Sequence, residues 1–193
     1  MRILAVMFFV LFGLNVQAAT NTDAVGNFVH EVKARADLIV NGTSGDKEKV
    51  TELDTLFWEV VDTKWMAKFS LGKFWNKITD AQKDRILQLY PTYIANIYVP
   101  NFKKYNSNAM KIMSIAEIRE GEFLVKTRIA LVQEENEVNV DYRVAVKEGV
   151  NDFGLVIFDI VAEGVSLITT QRSEFNSIIS TKGVDSLIAD LQK

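Results

Sequence analysis

Between residues 123 and 160, apolar and polar side chains alternate with the period-two spacing of β-strands. Residues 123–132 place Phe123, Val125, Thr127, Ile129 and Leu131 on one face and Lys126 and Arg128 on the other. Residues 138–147 repeat the arrangement, with Val138, Val140, Tyr142, Val144 and Val146 against Asn139, Asp141, Arg143 and Lys147. A third strand is predicted over 153–160. Weaker alternation over 109–118 predicts a fourth, joined to the first by a turn at 119–122. The polar tip 133–136 fits a short hairpin loop, so the strands flanking it are antiparallel neighbours. Their apolar positions are odd-numbered in one and even-numbered in the other, so opposed residues must have an odd sum if one face is to be apolar. A sum of 269 sets Arg128 opposite Asp141, whereas 271 sets it opposite Arg143. The first is expected, because like charges directly opposed destabilise a pair. The predicted sheet is apolar on one face and wet on the other.

Elsewhere the apolar spacing is three and four residues, that of helices. Residues 23–41 carry Val25, Phe28, Val29, Val32, Ala36 and Ile39 on one side and stop at Asn41-Gly42. A second helix runs through Val50, Leu53, Leu56, Phe57 and Val60. Asp62 is placed to cap a short helix bearing Trp65, Met66 and Phe69, which Gly72 stops. Thr79 and Gln82 have capping-box spacing and open a longer helix through Ile86, Leu89, Tyr90, Tyr93, Ile94, Ile97 and Tyr98. Its apolar positions outnumber what one narrow core stripe needs. Pro91 is predicted to kink or divide it, and the chain is expected to become extended after Pro100. Residues 166–180 and 184–191 read as two closing helices.

The first residues stand apart from this pattern. Arg2 precedes an apolar run from Ile3 to Leu14, too short to span a bilayer, and Val16-Gln17-Ala18 has the small-residue spacing of a secretory cleavage site. Residues 1–18 are therefore expected to be a signal peptide and 19–193 a single exported domain, large enough for a core and a cavity. The absence of cysteine excludes a disulfide framework and a thiolate metal site. Without Arg2 the chain has 21 Lys and Arg against 25 Asp and Glu, a net charge of −4, which does not suit nucleic-acid binding. Eight basic residues (Lys64, Lys68, Lys73, Lys77, Lys83, Arg85, Lys103, Lys104) and two acidic ones (Asp80, Asp84) fall within 64–104, among Trp65, Trp75 and most of the tyrosines. This segment reads either as solvated helix faces over an aromatic core or as a basic rim around an apolar opening.

Catalytic chemistry finds no constellation. His30, the single histidine, adjoins an apolar stripe with no partner in sequence and suits a packing or solvent-edge role. Ser166 follows Gly164, yet Ile168 stands where a hydrolase elbow needs glycine. Glu134, Glu135 and Glu137 lack the glycine and alternating oxygens of a calcium loop. Asp141 and Asp159 could form an acid–base pair in a cone-shaped cavity, but the polar-face position of Asp141 argues against it. The chain reads as a non-enzyme that needs no cofactor or metal. What exceeds expectation is apolar capacity, which leaves a lipid cavity and a well-packed core both open.

Residues 158–167 (Phe158-Asp159-Ile160-Val161-Ala162-Glu163-Gly164-Val165-Ser166-Leu167), Arg172-Ser173-Glu174-Phe175 and Gly183-Val184-Asp185-Ser186-Leu187 resemble the MlaC family of toluene-tolerance proteins. Asp62, Ala67, Leu71-Gly72, Trp75, Thr79 and Gln82 agree in order and spacing. The resemblance implies an α+β fold, a curved antiparallel sheet of about four strands wrapped by helices around an apolar ligand pocket. It also implies a periplasmic phospholipid carrier that maintains outer-membrane lipid asymmetry. The partners it implies are an outer-membrane lipoprotein complex and the MCE-domain subunit of an inner-membrane ABC transporter. An envelope adaptor without lipid, or a lipid-acting hydrolase or isomerase, is the alternative. Leu155, Val156 and Pro91 depart from the family pattern, which bears on pocket size and mouth. On this reading the acyl chains lie against Val125, Ile129, Val140, Tyr142, Val144 and Ile157 of the sheet. Phe28, Phe69, Trp75, Ile94, Ile97, Tyr98 and Leu167 of the helices would face them.

Overall fold

The computed structural model describes residues 16–102, 105–131 and 137–192, with the side chains of 16–20, 98–102, 105–109 and 131 left out. The hairpin tip expected at 133–136 and most of the expected leader lie outside the described residues. Four helical segments come first: α1 (Val16–Asn41), α2 (Asp46–Val60), α3 (Thr63–Leu71) with a 3-10 turn at Gly72–Phe74, and α4 (Asp80–Phe102). Five strands follow: β1 (Tyr105–Arg119), β2 (Glu122–Leu131), β3 (Glu137–Val146), β4 (Leu155–Ala162) and β5 (Val165–Ser166). Helices α5 (Leu167–Lys182) and α6 (Val184–Asp190) close the chain. The strands form one antiparallel sheet in sequence order, so the α+β expectation holds, with a short fifth strand added.

Local signals act as their chemistry dictates. The Asp62 carboxylate accepts from Trp65 N at 3.1 Å, and Gly72, at φ +52°, ends α3 in a conformation that favours glycine. Thr79 and Gln82 form a reciprocal capping box, with Thr79 N donating to Gln82 Oε1 at 3.1 Å and Gln82 N to Thr79 Oγ1 at 3.3 Å. Pro91 does not divide the long helix, and Pro100 lies inside its last turn. A proline removes one intrahelical hydrogen bond. Burial of Ile86, Tyr90 and Ile94, each 0% exposed, outweighs that loss. The surplus of apolar positions on α4 is explained by its neighbours, because it packs against α2, α3 and α6 together.

The β2–β3 register departs from expectation by one pleat. Phe123 faces Val144, Val125 faces Tyr142 and Arg128 faces Asn139, a sum of 267 in place of 269. The sum remains odd, so the apolar sets still share a face. Charge pairing cannot separate the two registers, since 267 places Lys126 across from Asp141. The Asp141 carboxylate accepts from Thr127 N at 3.3 Å, and the Thr127 hydroxyl donates to the Val140 carbonyl.

The second correction concerns the wet face. One face, carrying Phe123, Val125, Val144 and Ile157, is covered by α1 and α2. The other is wet over β2, where Lys126 and Arg128 are exposed, but not over β4, on which α3 and α5 pack. The first five residues of β4, Leu155 to Asp159, are all buried. A bulge between the Arg143–Asp159 and Val144–Ile157 pairs leaves Phe158 unpaired, and its ring meets Trp65 of α3 edge-on at 5.0 Å.

Candidate functional site

Two cavities lie on opposite faces of the sheet. The inner cleft is roofed by α1 (Val29, Val32, Lys33, Ala36) and α2 (Leu53, Leu56, Phe57, Val60) and floored by Val61, Met110, Tyr142, Ile157 and Ile160; its volume is about 80 Å³. Only Lys33 and Tyr142 bring polar side-chain atoms to it. Its roof is fastened on the solvent side. Arg35 of α1 makes a two-pronged hydrogen-bonded ion pair with Glu59 of α2, at 2.7 and 2.6 Å, which holds the Glu59 carboxyl below the usual carboxylate range. Lys49 Nζ donates to the Val40 carbonyl at 2.9 Å and fastens the other end. The end of α2 is pinned to the sheet by a parallel bridge between Val61, which follows that helix, and Ile157, with Asp62 N donating to Ile157 O at 2.9 Å.

The outer pocket, about 410 Å³, is lined by Asp62, Lys64, Trp65, Lys68, Trp75, Leu87, Glu122, Ala145, Val146, Lys147, Val156 and Phe158. The basic, aromatic segment, read as either solvated helix faces or the rim of an apolar opening, therefore supplies part of the wall of this pocket on the other face.

The residues expected to touch acyl chains are distributed as follows. Tyr142 and Ile157 line the inner cleft. Val125, Ile129, Val140 and Val144 belong to the same sheet face and are buried in the packed interior. Phe28 is fully buried above that face, its ring 5.3 Å from Phe153. Ile94 is fully buried on α4, and Ile97 of the same helix is 38% exposed. The side chain of Tyr98 lies outside the described residues. Leu167 begins α5 and is buried where that helix meets β4. Phe69 and Trp75 stand on the outer side, where Phe69 stacks on Trp65 at 5.1 Å and Trp75 lines the outer pocket. The cleft residues absent from that expectation are mostly the stripes of α1 and α2, with Met110 and Ile160 of the sheet.

Among the described residues one acid is fully buried, and the structure accounts for it. Asp159 is 0% exposed; it accepts from Ser166 Oγ at 2.7 Å and from Ile168 N at 3.2 Å, with Arg143 at 3.9 Å. Ser166 in turn caps α5, accepting from Thr169 N at 3.2 Å. The pair thus joins β4 to the start of α5. Desolvation raises the Asp159 carboxyl above its usual range despite these hydrogen bonds. A carboxyl with a raised folded pKa favours folding below its unfolded value, and that contribution disappears as pH rises through the folded value. Asp159→Asn keeps an acceptor for Ile168 N and removes the titration. The wild type is therefore expected to lose stability relative to Asp159→Asn as pH rises above about 4. Urea melts of both proteins from pH 4 to 7 measure this, and parallel pH profiles would refute it. His30 is exposed and Asp141 is bonded to backbone, so neither is brought to a cavity wall.

The sequence profile of the MlaC protein family matches residues 32–193. An intermembrane phospholipid transport system binding protein, MlaC, from Haemophilus influenzae is 19% identical over 133 residues, covering 69% of this chain and 62% of its own length. A phospholipid-binding protein from Ralstonia solanacearum, solved in complex with a phospholipid, shares the fold with a TM-score of 0.63. It is 23% identical, and the match covers 91% of this chain and 94% of that one. With the profile extending over most of the sequence, this chain belongs to the MlaC family.

Proposed function

We propose that this chain is a periplasmic phospholipid carrier that holds acyl chains in the inner cleft and passes lipid between an outer-membrane lipoprotein complex and the MCE-domain subunit of an inner-membrane ABC transporter. Outer-membrane lipid asymmetry would be maintained by that traffic. The observation that carries this reading is the cleft itself, an apolar space between two helices and a sheet with a single charged residue in its lining. Each methylene moved from water to such a site gains about 0.8 kcal/mol, so a chain of roughly sixteen carbons gains on the order of 12 kcal/mol. The Haemophilus relative is named for phospholipid transport and the Ralstonia protein holds a phospholipid, which supports the same reading. Among the described residues no helix is long and apolar enough to cross a membrane.

A cleft of 80 Å³ is too small for an acyl chain, so loading requires α1 and α2 to part from one another over the sheet. The Arg35–Glu59 pair resists that movement. Both side chains are 35% exposed, and an ion pair of that kind is worth about 0.2–1 kcal/mol. Arg35→Ala is therefore expected to speed lipid exchange by up to about fivefold, read as dequenching of a fluorescent phospholipid on transfer to vesicles. An unchanged rate would show that the opening movement lies elsewhere.

The carrier reading is tested by native mass spectrometry of the protein purified from a bacterial periplasm without detergent, followed by organic extraction. Stoichiometric intact phospholipid is expected. A folded, lipid-free protein would overturn the reading in favour of an adaptor, and lysophospholipid with free fatty acid would point to turnover.

A further inference from the structure

The outer pocket is five times the volume of the cleft and is used by nothing described so far. Its walls are apolar: Trp65 of α3, Trp75, Leu87 of α4, and Ala145, Val156 and Phe158 of the sheet. Its volume falls within the range of small-molecule sites, about 300–1,000 Å³.

Charge defines what could enter. The two carboxylates of the lining are already matched, Asp62 by Lys147, and Glu122 by Arg119 at 3.4 Å and Arg143 at 3.7 Å. Lys64 and Lys68, one helical turn apart on α3, form no ion pair among the described residues. A cationic ligand would find the best aromatic face taken, since the ammonium groups of Lys68 and Lys83 each sit 5.7 Å from the Trp75 ring. Trp65 is likewise engaged, with Phe69 stacked on it and Phe158 at its edge. The site therefore combines an apolar hollow with two lysines on one side that no carboxylate among the described residues pairs.

We propose that this pocket is a second binding site, separate from the cleft, for a single-chain anionic amphiphile: one alkyl chain against Trp65, Trp75, Val156 and Phe158, and one anionic group at Lys64 and Lys68. A free fatty acid and a lysophospholipid share that chemistry. The site does not depend on what the cleft carries, and the two stand or fall separately.

The chain contains three tryptophans, and the third, Trp58, is 50% exposed on α2 and lines neither cavity. Their three indole N–H signals, assigned by single Trp→Phe variants, form a site-resolved reporter in ¹⁵N-labelled protein. Laurate added below its micelle concentration is expected to shift the Trp65 and Trp75 signals saturably while leaving Trp58 in place. Lys64→Gln with Lys68→Gln should weaken laurate about tenfold and leave neutral dodecyl maltoside unchanged. Ala145→Phe, at a half-buried position, should fill the hollow and abolish both responses. The relative affinity of laurate and lauroyl-lysophosphatidylglycerol tells which head group fits better. Absence of a saturable shift at Trp65 and Trp75, or equal laurate affinity in the double glutamine variant, overturns the proposal.

Discussion

Replacing Val32 with glutamate is expected to strip the purified protein of phospholipid while leaving it folded. Val32 lies in the roof of the inner cleft and is half-buried, so in the empty protein a carboxylate there can turn toward water. Glutamate is also a good helix former. Once acyl chains fill the cleft, the same carboxylate faces methylene groups with no hydrogen-bonding partner. An ionised group so desolvated costs several kcal/mol, which lowers affinity by about a hundredfold or more. The positions most exposed to view in the sequence are less informative: Val144 and Ile94 are each 0% exposed, and a charge at either would unfold the protein before it tested lipid binding. The measurement is phospholipid per protein after detergent-free purification, with circular dichroism and a thermal melt to establish folding. A folded Val32→Glu protein carrying wild-type amounts of lipid would move the acyl chains out of this cleft.

The second large effect is on stability. Phe28→Ala is expected to cost about 3–5 kcal/mol, the usual range for removing a fully buried aromatic ring. Phe28 is 0% exposed, and it is the partner of Phe153 in the loop between β3 and β4. That edge-to-face contact adds about 0.5–1.5 kcal/mol beyond the buried area. A further anchor of the loop is Asn151, whose amide donates to the Glu59 carbonyl at 3.2 Å and to the Leu155 carbonyl at 2.8 Å. A urea midpoint that falls in proportion, at constant slope, is the expected result. A change below about 1 kcal/mol would show that the site collapses around the missing ring.

These two residues show what the sequence makes legible. The stripe containing Phe28 and Val32 is plain from its spacing, and so are the capping box at Thr79 and the alternation of β2 and β3. Spacing reports which side of an element is buried but not what it is buried against. Phe69 and Trp75 carry the same apolar signal as Phe57 and Val60, yet they are on opposite sides of β4. The choice follows from the bridge at Val61–Ile157, a contact nearly a hundred residues apart in the chain that no local pattern encodes. The β2–β3 register was underdetermined for a related reason, because Lys126 and Arg128 offer equivalent partners for Asp141. Pro91 stays inside α4 because helix rules describe a solvated helix, whereas α4 is held by neighbours on several sides. The resemblance carried by residues 158–167 supplied the family, and its most telling acid, Asp159, serves to fasten a strand to a helix.

The buried start of β4 fixes which part of the molecule can yield. Leu155 to Asp159 have helices packed on one side and helices on the other, and their backbone is bonded to β3 along most of its length. Amide protons in such a strand reach solvent only when the whole domain opens, whereas α1 and α2 are fastened to one another by surface contacts that release at far smaller cost. On the proposed carrier function, the slowest hydrogen exchange and the opening of the cleft's roof belong to opposite sides of the Val61–Ile157 bridge, and a guest enters without melting the frame.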